Sequence, residues 1–173
     1  MPMTRKQSGF TLLEIMVAIV VLSLGLLGLA GLQAASLRNN QTAYYRGIAT
    51  QQAYDMADRM RANLAGLRAN NYSALTVTPA NPNCFLTGCN TPLTMANTDY
   101  FQWNTANAAL LPNGNGTVVC ADGPAAAGCT AATGNWVFNI TVMWTETDMG
   151  GTDANCPTGT SANTRCFVTS ITP

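Results

Sequence analysis

The chain has 173 residues, 47% hydrophobic and only 9% charged, with eight lysines and arginines against eight aspartates and glutamates. That length holds one compact domain plus an extension, and a neutral, sparsely charged chain lacks the basic stripe that nucleic-acid binding requires. There is no histidine, which excludes Ser-His-Asp and Cys-His nucleophile systems and histidine metal sites.

Residues 1–9 are short and basic through Arg5 and Lys6, and the apolar run follows them. Residues 10–32 form 23 consecutive positions with one charge, Glu14. At ~1.5 Å per residue this is enough to cross a bilayer core of ~30 Å. An ordinary secretory signal has the opposite order, with its apolar region ahead of the cleavage site and lost on processing. Cutting after Gly9 would keep the apolar helix on the mature protein. By the positive-inside rule Arg5 and Lys6 hold the N-terminus in the cytoplasm and place everything beyond Leu32 on the far side. Ser23, Gly25, Gly28, Ala30 and Gly31 are small enough to let neighbouring helices approach, or are simply tolerated in lipid. No proline lies between Pro2 and Pro79, so no proline kink occurs there.

From Gln33 the pattern becomes that of an amphipathic helix, with Leu37, Tyr44, Ile48, Ala53, Met56, Met60 and Leu67 as its apolar positions. Asp55 with Arg59 and Asp58 with Arg61 have the spacing of helical ion pairs and are read as a solvated face. Gly66 and Asn70-Asn71 supply stop signals. The expectation is one helix from Phe10 to about Arg68, ~90 Å long.

Beyond residue 70 the composition shifts, and asparagine and threonine make 32 of the last 103 residues. That favours turns and strands over long helices. Residues 78–116 read as irregular. The best strand is Trp136 to Trp144, where Trp136, Phe138, Ile140, Val142 and Trp144 alternate with more polar positions. Thr117 to Cys120 and Arg165 to Ile171 are its candidate partners. The economical architecture is α+β: a long N-terminal helix packed on a small antiparallel sheet with disulfide-pinned loops. The stem between residues 32 and 71 is basic, with five arginines, and residues 71–173 are acidic, with Arg165 against Asp99, Asp122, Glu146, Asp148 and Asp153.

All six cysteines (Cys84, Cys89, Cys120, Cys129, Cys156 and Cys166) lie in the last hundred residues. An even number in an exported segment points to disulfides. Zinc would want C-x2-C pairs, and the spacings are C-x4-C, C-x8-C and C-x9-C. Fifteen connectivities are open, and pairing of neighbours (Cys84–Cys89, Cys120–Cys129, Cys156–Cys166) is the expectation because short loops close at low entropic cost. No metal, cofactor, phosphate loop or catalytic constellation is expected, and Asn113-Gly114 reads as a turn.

Ser8-Gly9-Phe10-Thr11-Leu12-Leu13-Glu14 ahead of an unbroken apolar stretch resembles the class III signal of type IV pilins and their relatives. The resemblance extends to Ser36-Leu37-Arg38-Asn39-Asn40 and to Tyr54-Asp55-Met56-Ala57-Asp58-Arg59-Met60-Arg61, and fades after Asn71. It implies the pilin fold, cleavage after Gly9 by a membrane prepilin peptidase, and methylation of the new N-terminus at Phe10. It gives Glu14 a part in assembly, by pairing with the α-amine of a neighbouring subunit's residue 10. A first-turn carboxylate also complements the helix dipole, and the two roles can coexist.

The resemblance further implies four segments: residues 1–9 as leader, 10–32 as the transmembrane half of the helix, 33–70 as its periplasmic half and 71–173 as the head. The partners it implies are other minor pilins, the major pilin, the prepilin peptidase and the inner-membrane assembly platform, with room for a large tip adhesin. The rival readings are a pseudopilin of a type II secretion system and a membrane-anchored periplasmic enzyme or binding protein.

Overall fold

In the computed structural model, which describes residues 9–121, 137–146, 151 and 153–172, helix α1 spans Leu12–Ala62. Its 51 residues contain no proline, and strong helix formers dominate it. The chain divides into two units, Met1–Ala43 and Tyr44–Pro173. In the first, the side chains from Phe10 to Leu32 are exposed, and α1 contains a window long and apolar enough to cross a membrane, none of it covered by protein.

In the second unit α1 becomes a core element. Ala49, Ala53, Met56, Ala57 and Met60 recur at three- and four-residue steps and are buried. Leu37 and Tyr44, expected on the same apolar face, are instead 70% and 63% exposed. Tyr44 shares its heptad position with Gln51 and Asp58, which face water. The packing seam is therefore built on alanine and methionine.

The helix does not reach Arg68 unbroken. It ends at Ala62, and α2 (Leu64–Arg68) restarts after Asn63, whose backbone leaves the helical region at φ -109, ψ 60. Asn63 Oδ1 accepts from the Gly66 N–H at 3.0 Å, as an N-cap should. Its Nδ2 donates to Tyr72 Oη at 3.0 Å and to the Pro92 carbonyl at 2.9 Å. A Cβ on Gly66 would lie 2.4 Å from that Nδ2, so glycine is needed for the cap. The stop comes at Asn70, in left-handed conformation (φ 61), with Asn71 N–H donating to the Gly66 carbonyl.

Residues 78–116 are not irregular as a whole. They hold a short α3 (Cys84–Thr87) and a 19-residue α4 (Pro92–Leu110). Thr91 caps α4 by accepting from Thr94 N–H at 3.1 Å, and Pro92 opens the first turn. The buried face of α4 is Ala96, Asp99, Tyr100, Trp103, Asn104 and Asn107, with helical spacing but half polar, which conceals it from a hydrophobicity reading.

Four antiparallel strands, β1 (Ala74–Leu75), β2 (Asn115–Cys120), β3 (Phe138–Thr145) and β4 (Thr164–Ile171), form one sheet in the order β1-β2-β3-β4. In β3 the side chains of Phe138, Ile140, Val142 and Trp144 are buried, as the alternation required; Thr141, on the opposite face, is buried too. Trp136 lies outside the described residues. The inner face of β3 joins Val118, Tyr72, Tyr100, Trp103 and the α1 seam in one core. The architecture is α+β, a long N-terminal helix packed on a small antiparallel sheet, consistent with the type IV pilin fold.

Asn104 completes the sheet where β1 runs out. β1 pairs only with Val118 and Val119, leaving the outward backbone of Gly116 without a strand partner. Asn104 Oδ1 accepts from Gly116 N–H at 2.7 Å, and Nδ2 donates to the Gly116 carbonyl at 3.3 Å. Tyr100 Oη donates to the same carbonyl at 2.7 Å. The Trp103 ring covers Gly116 so closely that a Cβ there would sit 2.2 Å from it, and Trp103 Nε1 donates to the Gln52 carbonyl of α1 at 2.8 Å.

Disulfides Cys84–Cys89 and Cys156–Cys166 close loops of sequence separation 5 and 10. The expected Cys120–Cys129 bridge involves Cys129, which lies outside the described residues. Two glycines test the packing. Gly116→Ala should destabilise the second unit by about 1–3 kcal/mol through overpacking against Trp103. Gly47→Ala, with nothing within 4 Å of the new methyl, should stabilise α1 by up to about 1 kcal/mol. Urea unfolding of the detergent-solubilised full chain, followed by tryptophan fluorescence, measures both.

Candidate functional site

The second unit contains a buried polar hub that joins α1 to α4. Asp99, 8% exposed on α4, accepts a 2.6 Å hydrogen bond from Tyr72 Oη, which in turn accepts from Asn63 Nδ2. An Arg59 guanidinium nitrogen lies 3.7 Å from the other Asp99 oxygen and donates to Gln102 Oε1 at 3.0 Å, while Arg59 Nε bonds Asp55 at 2.9 Å. Asp58–Arg61 at 2.8 Å is the solvated pair the spacing suggested. Arg59 departs from that reading, because it turns inward and joins α1 to α4. Burial raises the Asp99 pKa above the ordinary carboxylate value and Asp55 adds to the rise, whereas the Tyr72 hydrogen bond and Arg59 oppose it. Burial likewise raises Tyr72 strongly and pushes Tyr100 up to about 12. Both Asp99 oxygens face protein partners, so the hub holds elements together.

The other head carboxylates are also engaged. Glu146 accepts from Trp144 Nε1 at 2.8 Å and lies 3.9 Å from Arg165, and Asp153 accepts from the Asn155 backbone at 3.1 Å. Asp122 and Asp148 lie outside the described residues. Among the described residues no group of three His, Cys, Asp or Glu is placed to hold a metal.

The first turn of α1 is built differently. Gly9 and Phe10 precede the helix and are exposed, Phe10 by 79%. Thr11 is the cap: its carbonyl accepts from Glu14 N–H at 3.1 Å and Ile15 N–H at 3.3 Å, and its Oγ1 from Glu14 N–H at 3.3 Å. Thr11 and Glu14 have the Thr-x-x-Glu spacing, with the Thr11 hydroxyl capping the helix and the Glu14 carboxylate in its first turn, at the positive end of the helix. Among the described residues the Glu14 carboxylate has no ion-pair partner. The sequence reading singled out Gly9, Phe10 and Glu14 and overlooked Thr11, although its spacing to Glu14 is the signal that finds it.

This first turn coincides with the family match. The Prokaryotic N-terminal methylation motif matches residues 4–30, so the chain carries a type IV prepilin-like leader. No curated protein and no solved structure matches the chain significantly. The motif supports a type IV pilin-like or pseudopilin protein, structural in role and membrane-anchored through its apolar helix.

The hub sets a pH dependence. Because Asp99 holds its proton more tightly in the folded state, its contribution to stability falls as pH rises from about 3.8 through its raised folded value. Subtracting the pH–stability curve of Asp99→Asn from that of the parent, both from thermal unfolding, should leave a difference that declines across this window. Tyr72 and Tyr100 ionise in the unfolded chain first, so stability should fall again above pH 10.

Proposed function

We propose that the chain is a minor pilin of the PilV type, the type IV pilus modification protein, which primes assembly of a type IV pilus. It is incorporated into the pilus in a tip complex with other minor pilins. One observation carries the reading: a short basic leader sits ahead of an uncovered apolar helix, with a single carboxylate in its first turn. Peptidase cleavage after Gly9 retains the helix, methylation keeps the Phe10 amine cationic, and Glu14 pairs with that amine on a neighbouring subunit. The helix waits in the inner membrane with the head in the periplasm, then moves from lipid into a bundle of similar helices. The major pilin and the assembly platform are the partners of that step. A pseudopilin of a type II secretion system uses the same leader and helix. The segment from Asp55 to Arg61 and the six-cysteine head favour the pilus.

Intact mass of the membrane-extracted protein should show loss of residues 1–9 and one added methyl; a mature start beyond Leu32 overturns the reading. Deleting the gene should abolish twitching motility, whereas loss of exoprotein secretion with intact pili would assign the chain to secretion.

Glu14→Leu separates assembly from folding. Removing an in-membrane charge leaves insertion unharmed. The neighbour's α-amine loses its partner, at about 3–5 kcal/mol for a broken low-dielectric pair. Surface pili should fall while processed, membrane-bound protein persists. Normal piliation would leave Glu14 only its helix-dipole role.

A further inference from the structure

The two sides of the sheet are finished differently. On the β2 side the short β1 and the Asn104 amide satisfy the outward backbone. On the other side β4 is the edge, and its outward groups follow from the register. Glu146 N–H donates to the Asn163 carbonyl, so the hydrogen-bonded pairs of the β3–β4 ladder recur every second residue through Trp144–Arg165, Val142–Phe167, Ile140–Thr169 and Phe138–Ile171. Thr164, Cys166, Val168 and Ser170 then turn their N–H and C=O groups away from β3.

Thr164 fits this phase, since its carbonyl accepts from Asp153 N–H at 3.1 Å, and Cys166 is covered by its bridge to Cys156. The backbone groups of Val168 and Ser170 meet no partner among the described residues, and both residues are exposed, Val168 by 38%. A row of unpaired donors and acceptors with strand spacing is complementary to one kind of ligand, another extended backbone.

We propose that this edge of β4 is a joint to a second copy of the same chain, formed by antiparallel addition of β4 to β4 about a two-fold axis at Thr169. In that register Val168 of one copy faces Ser170 of the other, and the two pairs exchange four backbone hydrogen bonds. The Thr169 side chains meet across the axis, a favourable cross-strand pair. A second copy fits because nothing on the edge repels its own image. From Cys166 to Ile171 there is no charge and no proline, the register has no bulge, and the adjacent Arg165 is turned to Glu146. Lysine, proline and bulges are the devices by which edge strands avoid self-pairing. Four hydrogen bonds make a weak joint in free solution, and anchoring of both copies by α1 in one membrane raises their effective concentration.

The test places a photo-crosslinking amino acid at Val168 of the full-length chain in its membrane, with adducts identified by mass spectrometry. A dimer of this chain is the expected product. Ser170→Pro removes an outward N–H and leaves the backbone bonds of β4 to β3 in place, losing toward β3 only the Ser170 Oγ donation to Asn139 Oδ1. It should reduce dimer yield at least tenfold while both described disulfides persist in non-reducing peptide maps. Should that variant lose its disulfides, Ser170→Lys keeps the backbone intact and places a solvated charge on each side of the joint, with the same loss expected. No dimer adduct, an adduct only with a different protein, or a yield unmoved by a folded Ser170 variant would overturn the proposal. The adduct is read whether or not filaments form, so failure here leaves the leader-processing result untouched.

Discussion

An apolar helix that its own chain leaves bare must be covered by something else, and the rest of this protein is arranged around that constraint. From Phe10 to Leu32 no side chain is sheltered by protein. Lipid satisfies the surface, and so does a bundle of similar helices, which makes transfer between the two a change of neighbour with little change in buried apolar area. Hydrophobicity alone then cannot decide between membrane and bundle. A charge in the first turn can, because it is costly in lipid and favourable beside an opposite charge.

The second half of the same helix obeys a different rule. In water a single helix of this length needs tertiary support. The alanine and methionine seam from Ala49 to Met60 receives it from α4 and the sheet, and three polar attachments fix how it packs. Trp103 grips the Gln52 carbonyl, Arg59 reaches Asp99 and Gln102, and Asn63 ends the helix while bonding Tyr72 and Pro92. Each attachment leaves a buried polar group exposed to a desolvation penalty if broken, so helix and head are held in one register.

The elements whose cause is local could be read in advance. The apolar run, the alternation of β3 and the short cysteine loops needed only composition and period. What escaped was set by distant partners. Helix α4 carries Asp99 and Asn104 on its buried face, and Tyr72, Arg59 and Gly116 meet these two from other parts of the chain. The helix break at Asn63 is of the same kind, since that side chain is held by Tyr72 and Pro92. Leu37 and Tyr44 misled in the other direction: large apolar residues at plausible spacing that are exposed. At the first turn, Glu14 is conspicuous as a lone charge, whereas Thr11 is a common residue marked only by its spacing to Glu14.

The spacing of the bridges bears on how the head is made. In each described disulfide a cysteine is joined to the next cysteine in the chain, Cys84 to Cys89 and Cys156 to Cys166. A chain that emerges N-terminus first therefore presents each of these thiols with its correct partner before any later one arrives. Oxidation in order of appearance gives the native bonds directly. The head can then close its loops before α4 and the sheet have met, with no reshuffling of these two bridges left for a later stage.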